Sequence, residues 1–218
     1  MCIDCVYSFF FKKEPQTLPD SYFSQEVSMS FGGRHLSVTR VLPSQYNFMV
    51  KMMENWKEIA ELQENLVNSK SLSDEESLRI TSRLESCRCI CAGLGKMIEE
   101  GRCQVLYACC DESLRTQSLM AISVEETHIK IDRLVTHPYN IFSFYDGQKA
   151  SAVRGAGSLL LRQAECLAEN AGKPEIKLIS TWGASSFYEK QGFRNLGFSF
   201  FGGGLSMVKM TGEQALTG

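Results

Sequence analysis

The chain has 218 residues, 44% hydrophobic and 22% charged, with a formal net charge of −2. That length supports one well-buried core, and the charge balance leaves no global basic field to draw nucleic acid or an anionic membrane. No stretch reaches the roughly 20 apolar residues of a membrane span.

The opening Met1-Cys2-Ile3-Asp4-Cys5 carries an acid where a signal peptide has basic residues, so none is expected. Nine cysteines, an odd number, suit a reducing compartment better than a disulfide framework. A cytoplasmic setting is the expectation. Residues 1–33 hold Phe9-Phe10-Phe11, broken by Pro15, Pro19 and Gly32-Gly33, and read as an arm on a single domain spanning 34–218.

Alternation from Leu36 to Val41 predicts a strand, after which Ser44 or Asn47 is placed to cap a helix. Met49, Met52, Met53, Trp56, Ile59, Ala60, Leu66 and Val67 recur at three- and four-residue steps, the apolar stripe of a helix facing a core. Ser73-Asp74-Glu75-Glu76 is a capping box that opens a second helix, with Gly101 as its stop. Cys87, Cys89 and Cys91 fall on that helix about 200° apart per two residues, too divergent to share one ion. The pair Cys2 and Cys5 has no second ligand pair in view, Cys109-Cys110 fits strand packing, and no metal is expected.

The period then becomes strand-like: Cys103 to Cys109, Ser118 to Val124 and Thr127 to Thr136. After a long loop come a helix from Gly155 to Ala171, a strand from Glu175 to Ser180, a helix from Ala184 to Gln191, and one or two strands from Phe193 to near Met210. This order predicts an α/β fold, a mixed sheet with helices on its faces.

Chemistry concentrates in two places. Val153-Arg154-Gly155-Ala156-Gly157-Ser158 lies just before an apolar helix, where glycines admit close backbone approach and unpaired amides suit a diphosphate. Neither a Walker loop nor the full dinucleotide fingerprint is present. Downstream, Ala184-Ser185-Ser186-Phe187-Tyr188-Glu189-Lys190-Gln191-Gly192-Phe193-Arg194 sets Tyr188 one turn before a helix end.

With Leu134-Val135-Thr136-His137-Pro138 upstream, these segments stand in the order found in the GCN5-related N-acetyltransferase (GNAT) superfamily. The chain resembles that family over roughly residues 34–210, with motif matches from 128 to 194. The resemblance implies a mixed, twisted and splayed β-sheet flanked by helices on both faces. It implies acetyl-CoA as co-substrate, its pantetheine arm paired with the backbone of Leu134, Val135 and Thr136. The diphosphate would lie on the amides of Arg154, Gly155, Ala156, Gly157 and Ser158. Lys149 and Arg162 read first as solvated surface residues and second as helpers to the phosphates.

Two departures stand out. Ala152 replaces the family's usual Gln or Arg, and the loop from Tyr139 to Ser151 is long and carries Phe142, Phe144 and Tyr145, which either cover the cofactor or pack on the core. The implied activity is transfer of an acetyl group to a primary amine, on a small molecule or a protein, by direct attack in a ternary complex. Tyr188 matches the family's general acid. For the base, His128, Lys130, Asp132 and Leu134 are expected on one strand face, with Asp132 first, His128 second and Glu126 third. The alternative for Asp132 is a plain pairing with Arg133, Lys130 or another neighbour, with no part in catalysis. The alternative for the whole chain is a CoA-binding sensor or interaction protein with weak or no transfer activity.

Overall fold

Alternation of apolar side chains builds the sheet, and a break in that alternation on one central strand shapes the site. The computed structural model describes residues 22, 27–31, 34–69, 72–142, 144–145, 148–149, 152–199 and 203–212. The phenylalanines at 9–11 and Cys2 and Cys5 lie outside them.

Strands β1 (Ser28–Phe31), β2 (Arg34–Val41), β3 (Val105–Asp111), β4 (Thr116–Val124) and β5 (His128–Thr136) follow one another as antiparallel neighbours. β5 then pairs in parallel with β8 (Glu175–Ser180), and β10 (Gly204–Met210) and β9 (Arg194–Ser199) complete an eight-stranded sheet. Within the 139–151 loop, β6 (Phe144–Tyr145) and β7 (Gln148–Lys149) form a separate ribbon. Ser28–Phe31, inside the stretch read as an arm, are thus paired with the sheet through β2.

Helices cover both faces. On one lie α1 (Tyr46–Ser69) and α2 (Asp74–Glu99); on the other lie α3 (Ala156–Asn170) and the short α4 (Ser185–Lys190). The alternation of β3 shows why. Val105, Tyr107 and Cys109 enter the core shared with α3, while Leu106 and Ala108 enter the core under α1 and α2 with Met53, Trp56 and Leu94.

Ser73 caps α2 by accepting the Glu76 N–H at 3.2 Å, and Gly101, at φ +66°, takes the left-handed conformation that ends it. At α1 neither Ser44 nor Asn47 serves as cap. The chain enters through a 3₁₀ turn at Pro43–Gln45, where the Gln45 side chain accepts the Leu42 N–H at 2.9 Å. On α2, Cys87 and Cys91 point inward and Cys89 outward.

Phe142 is buried with Ala60, Val67, Ile80 and Leu84 of α1 and α2, so it packs on the helices. The side chains of Phe144, Tyr145 and Lys149 lie outside the described residues. Among the described residues no helix is long and apolar enough to cross a membrane.

Strand β5 is irregular in two ways. Its parallel register with β8 runs only from His128↔Glu175 to Ile131↔Leu178, although β5 continues to Thr136 and β8 to Ser180. Beyond Ile131 the two strands part, and the sheet opens. At the same point Ile122 pairs with Ile131 and Ala121 with Arg133, leaving Asp132 as the extra residue of a β-bulge.

The bulge corrects the expected face sharing. Ile129 and Ile131 face α3, and after the bulge Leu134 does too, while Val135 turns toward α1 and α2. Leu134 therefore does not share a face with His128, Lys130 and Asp132.

Candidate active site

The opening between β5 and β8 is bordered by the start of α3. Gly155, at φ +91°, holds the left-handed conformation that turns the chain into this helix. The first helical bond there runs from the Leu159 N–H to the Gly155 carbonyl at 2.9 Å. The amides of Ala156, Gly157 and Ser158 precede it and have no acceptor within the helix. They sit at the positive end of α3, an arrangement that fits a diphosphate. Arg154 is exposed beside them, and Ala152 is half-buried.

This turn is pinned from behind. Val153 N–H donates to Asn140 Oδ1 at 2.8 Å, Asn140 Nδ2 donates to Gln117 Oε1 at 3.2 Å, and Gln117 Nε2 donates to Asp111 Oδ2 at 2.8 Å. Asn140 was not among the residues that sequence reasoning selected; as a loop asparagine it carries no local signal of this contact.

Three separated segments meet at Gly157. A Cβ placed on it would lie 3.4 Å from Phe187 Cζ, 3.8 Å from Leu134 Cδ2 and 3.8 Å from Thr136 Cγ2. The glycine turn, the free end of β5 and α4 are therefore in contact, and no side chain of residue 157 stands between them.

Tyr188 follows Phe187 on α4 and is only 8% exposed. Its ring meets Phe187 edge-on at 5.1 Å and Phe193 at 5.8 Å. Burial pushes its phenol up to about 12, so it is protonated throughout the neutral range. Lys209 anchors this end of α4, donating to Gln191 O at 2.7 Å and to Glu165 Oε1 at 2.6 Å. Glu165 also holds Arg162 at 3.2 Å.

Asp132 lies at the bulge with its side chain 8% exposed and both oxygens engaged. Oδ1 is 2.7 Å from Lys130 Nζ, and Oδ2 accepts from Ser123 Oγ. His128 stands at the opposite, paired end of β5, in register with Glu175, its Nδ1 3.2 Å from Thr127 Oγ1. Burial, aided by Lys177, lowers its pKa. Glu126 lies at that same end, its carbonyl accepting from Lys173 Nζ at 2.8 Å. The structure brings Leu134, Thr136, Gly157 and the Phe187–Tyr188 pair together; it leaves His128 and Glu126 apart from them.

A family model described as "Acetyltransferase (GNAT) domain" matches residues 148–213. No curated protein matches the sequence. Among solved structures, a PaiA N-acetyltransferase from Thermoplasma acidophilum in complex with coenzyme A is similar at 15% identity and a TM-score of 0.45, covering 80% of this chain and 98% of that one. A GNAT-family acetyltransferase from Listeria monocytogenes is similar at 15% identity and a TM-score of 0.47, covering 84% and 99%. A spermidine/spermine N-acetyltransferase, SpeG, from Vibrio cholerae is similar at 14% identity and a TM-score of 0.41, covering 80% and 93%. Likenesses this distant say nothing of substrate. The matched stretch 148–213 holds the glycine turn, α3, β8, α4 and the last two strands, and in that stretch the chain is similar to the GNAT acetyltransferase domain.

Proposed function

We propose that the chain acetylates a primary amine at the expense of acetyl-CoA, by direct attack with both substrates bound. The observation that carries this reading is the convergence on Gly157. An amide cluster suited to a diphosphate, a strand edge beyond its last pair with β8 and a buried tyrosine all border one opening in the sheet.

Acetyl-CoA supplies an acetyl group already activated as a thioester. The chain's part is to bind, orient and move protons. Backbone groups of Leu134, Val135 and Thr136, beyond the reach of β8, offer strand-like pairing to the pantetheine arm. The amides from Arg154 to Ser158 take the diphosphate.

In the transfer, the amine nitrogen forms a bond to the acetyl carbon as the carbon–sulfur bond breaks. One proton leaves the nitrogen and one arrives at the departing sulfur. An alkyl ammonium with a pKa near ~10.4 must shed a proton before it can attack. Asp132 is the first candidate to accept it, directly or through water, and His128 and Glu126 stand at the wrong end of β5 for that task.

Tyr188 is the donor toward sulfur. Because its phenol is a far weaker acid than a thiol near ~8.5, complete transfer in the ground state is uphill. Its role is best described as a hydrogen bond that strengthens while charge builds on sulfur. Holding both reactants in line supplies much of the remaining acceleration. A cytoplasmic, reducing setting belongs to the same proposal.

A second reading, a CoA-binding protein with little transfer activity, is favoured by one observation: both oxygens of Asp132 are already taken by Ser123 and Lys130. The deciding experiment follows free thiol in the purified protein with acetyl-CoA and a panel of amines, alongside calorimetry with acetyl-CoA. Thiol release that needs both substrates supports the enzyme, binding without release supports the sensor, and absence of binding overturns both.

A further inference from the structure

Arg133 is a charge that the acetyl-transfer steps leave unused. The bulge at Asp132 turns it onto the α1–α2 face of β5, opposite the face on which Leu134 and Thr136 meet Gly157. It is therefore on the wrong side to serve the diphosphate. Its Nε lies 3.2 Å, and its Nη2 3.6 Å, from the position a Cβ on Gly93 would take, so the guanidinium rests against the backbone of α2. A mid-helix glycine costs about 1 kcal/mol relative to alanine; here it makes room for that approach.

The neighbouring charges on this face are neutralised. Lys130 is 2.7 Å from Asp132, and Lys177 is 2.6 Å from Glu175. Arg133 is different. Its Nη1 donates to the Asp132 backbone carbonyl at 2.8 Å, and no carboxylate among the described residues pairs with it. A half-buried guanidinium thus keeps most of its donors unspent beside the point where β5 loses β8. Across the opening, α2 also touches the Trp182–Ala184 turn. A partly desolvated cation is stabilised by an anion, and the planar fork of arginine matches a carboxylate.

We propose that Arg133 selects the acceptor: the amine acetylated here carries a carboxylate, which the Arg133 guanidinium binds while the amine faces the opening. This rests on the acetyl-transfer reading. It disfavours polycationic acceptors, because Asp132 and Glu175, the acids named on this face, are already paired with Lys130 and Lys177.

The test uses the full chain with L-amino acids and the amines left when their carboxylate is removed, such as L-lysine against 1,5-diaminopentane. Free-thiol release should give at least one amino acid a kcat/KM more than tenfold above its decarboxylated partner. Arg133→Gln should erase that preference by raising the amino acid's KM at least tenfold, and Arg133→Lys should restore part of it. Calorimetry should find the acetyl-CoA Kd within twofold of wild type in both variants, and thermal melts should show them folded. The inference is overturned if decarboxylated amines are used as well or better, if Arg133→Gln keeps the preference, or if no carboxylate-bearing amine is turned over by protein that binds acetyl-CoA. Those results leave acetyl transfer standing; failure to bind acetyl-CoA removes both.

Discussion

Phe187 stands against Gly157, its Cζ 3.4 Å from where a Cβ would be. This contact locks the helix that carries Tyr188 to the turn that offers the amide cluster, so proton donor and anion cradle share one frame. Leu134 and Thr136 complete the contact from β5.

Substitutions at the turn should separate folding from binding. Gly157→Ala adds a methyl at ordinary contact distance, so its melting temperature should stay close to wild type. Gly157→Leu must push aside Phe187 or Leu134, and the acetyl-CoA Kd should rise at least tenfold, about 1.4 kcal/mol. Gly155→Ala forces a side chain into left-handed backbone and should cost about 1–2 kcal/mol of stability. Calorimetry with acetyl-CoA and thermal denaturation of the three variants check these outcomes together.

Tyr188→Phe removes the hydroxyl and keeps the ring between Phe187 and Phe193. We expect kcat to fall by about 10²-fold or more, in the range of general-acid contributions, with little change in acetyl-CoA affinity. Burial raises the phenol to about 12, so it stays protonated as pH rises through 8, 9 and 10. The wild-type kcat profile should therefore show no loss of activity from this group below about pH 11. A falling limb between pH 8 and 10 that disappears in Tyr188→Phe contradicts this assignment.

Local chemistry explains which features were legible in the sequence. Ser73 and Glu76 close a cap within one turn, Gly155 answers a backbone need at its own position, and the phase of an α-helix separates Cys89 from Cys87 and Cys91. The unread features depend on partners far along the chain. The bulge at Asp132 exists only in register with Ala121 and Ile122, and it overturned the face assigned to Leu134. Asn140 reaches Val153, and Lys209 reaches Gln191, through contacts that no spacing rule announces. Ser28–Phe31 form a strand only because β2 offers them an edge.

Asp132 can be tested as base or as mere ion-pair partner. If it takes the amine's proton, Asp132→Asn should lower kcat about 10²-fold and leave the acetyl-CoA Kd unchanged, since it faces away from Gly157. Ser123→Ala removes one hydrogen bond and should not abolish turnover. Equal and small losses in both variants would instead assign Asp132 to holding the bulge with Lys130 and Ser123. Steady-state rates with saturating acetyl-CoA distinguish the two.

His137 links acid pH to the same site. Its ring meets Trp56 edge-on at 5.0 Å and stacks on Tyr139 at 5.2 Å, and its Nδ1 accepts the Tyr139 N–H at 3.2 Å. That acceptance needs a neutral ring, and burial lowers the pKa to about 4 from the ordinary 6.5. Because the folded value is the depressed one, the unfolded chain takes up the proton first. The contribution of His137 is complete above about pH 6.5 and is lost as pH falls from there through about 4. Melting temperature should drop over that window, and less steeply in His137→Phe, which keeps a ring beside Trp56 but cannot titrate. At pH 7 the variant should lose about 1 kcal/mol with the missing hydrogen bond. Since the Pro138–Asn140 turn behind this ring holds Val153 through Asn140, acetyl-CoA affinity should weaken over the same window in wild type. Parallel melting curves for the two proteins from pH 7 to pH 4 would show that His137 does not carry the effect.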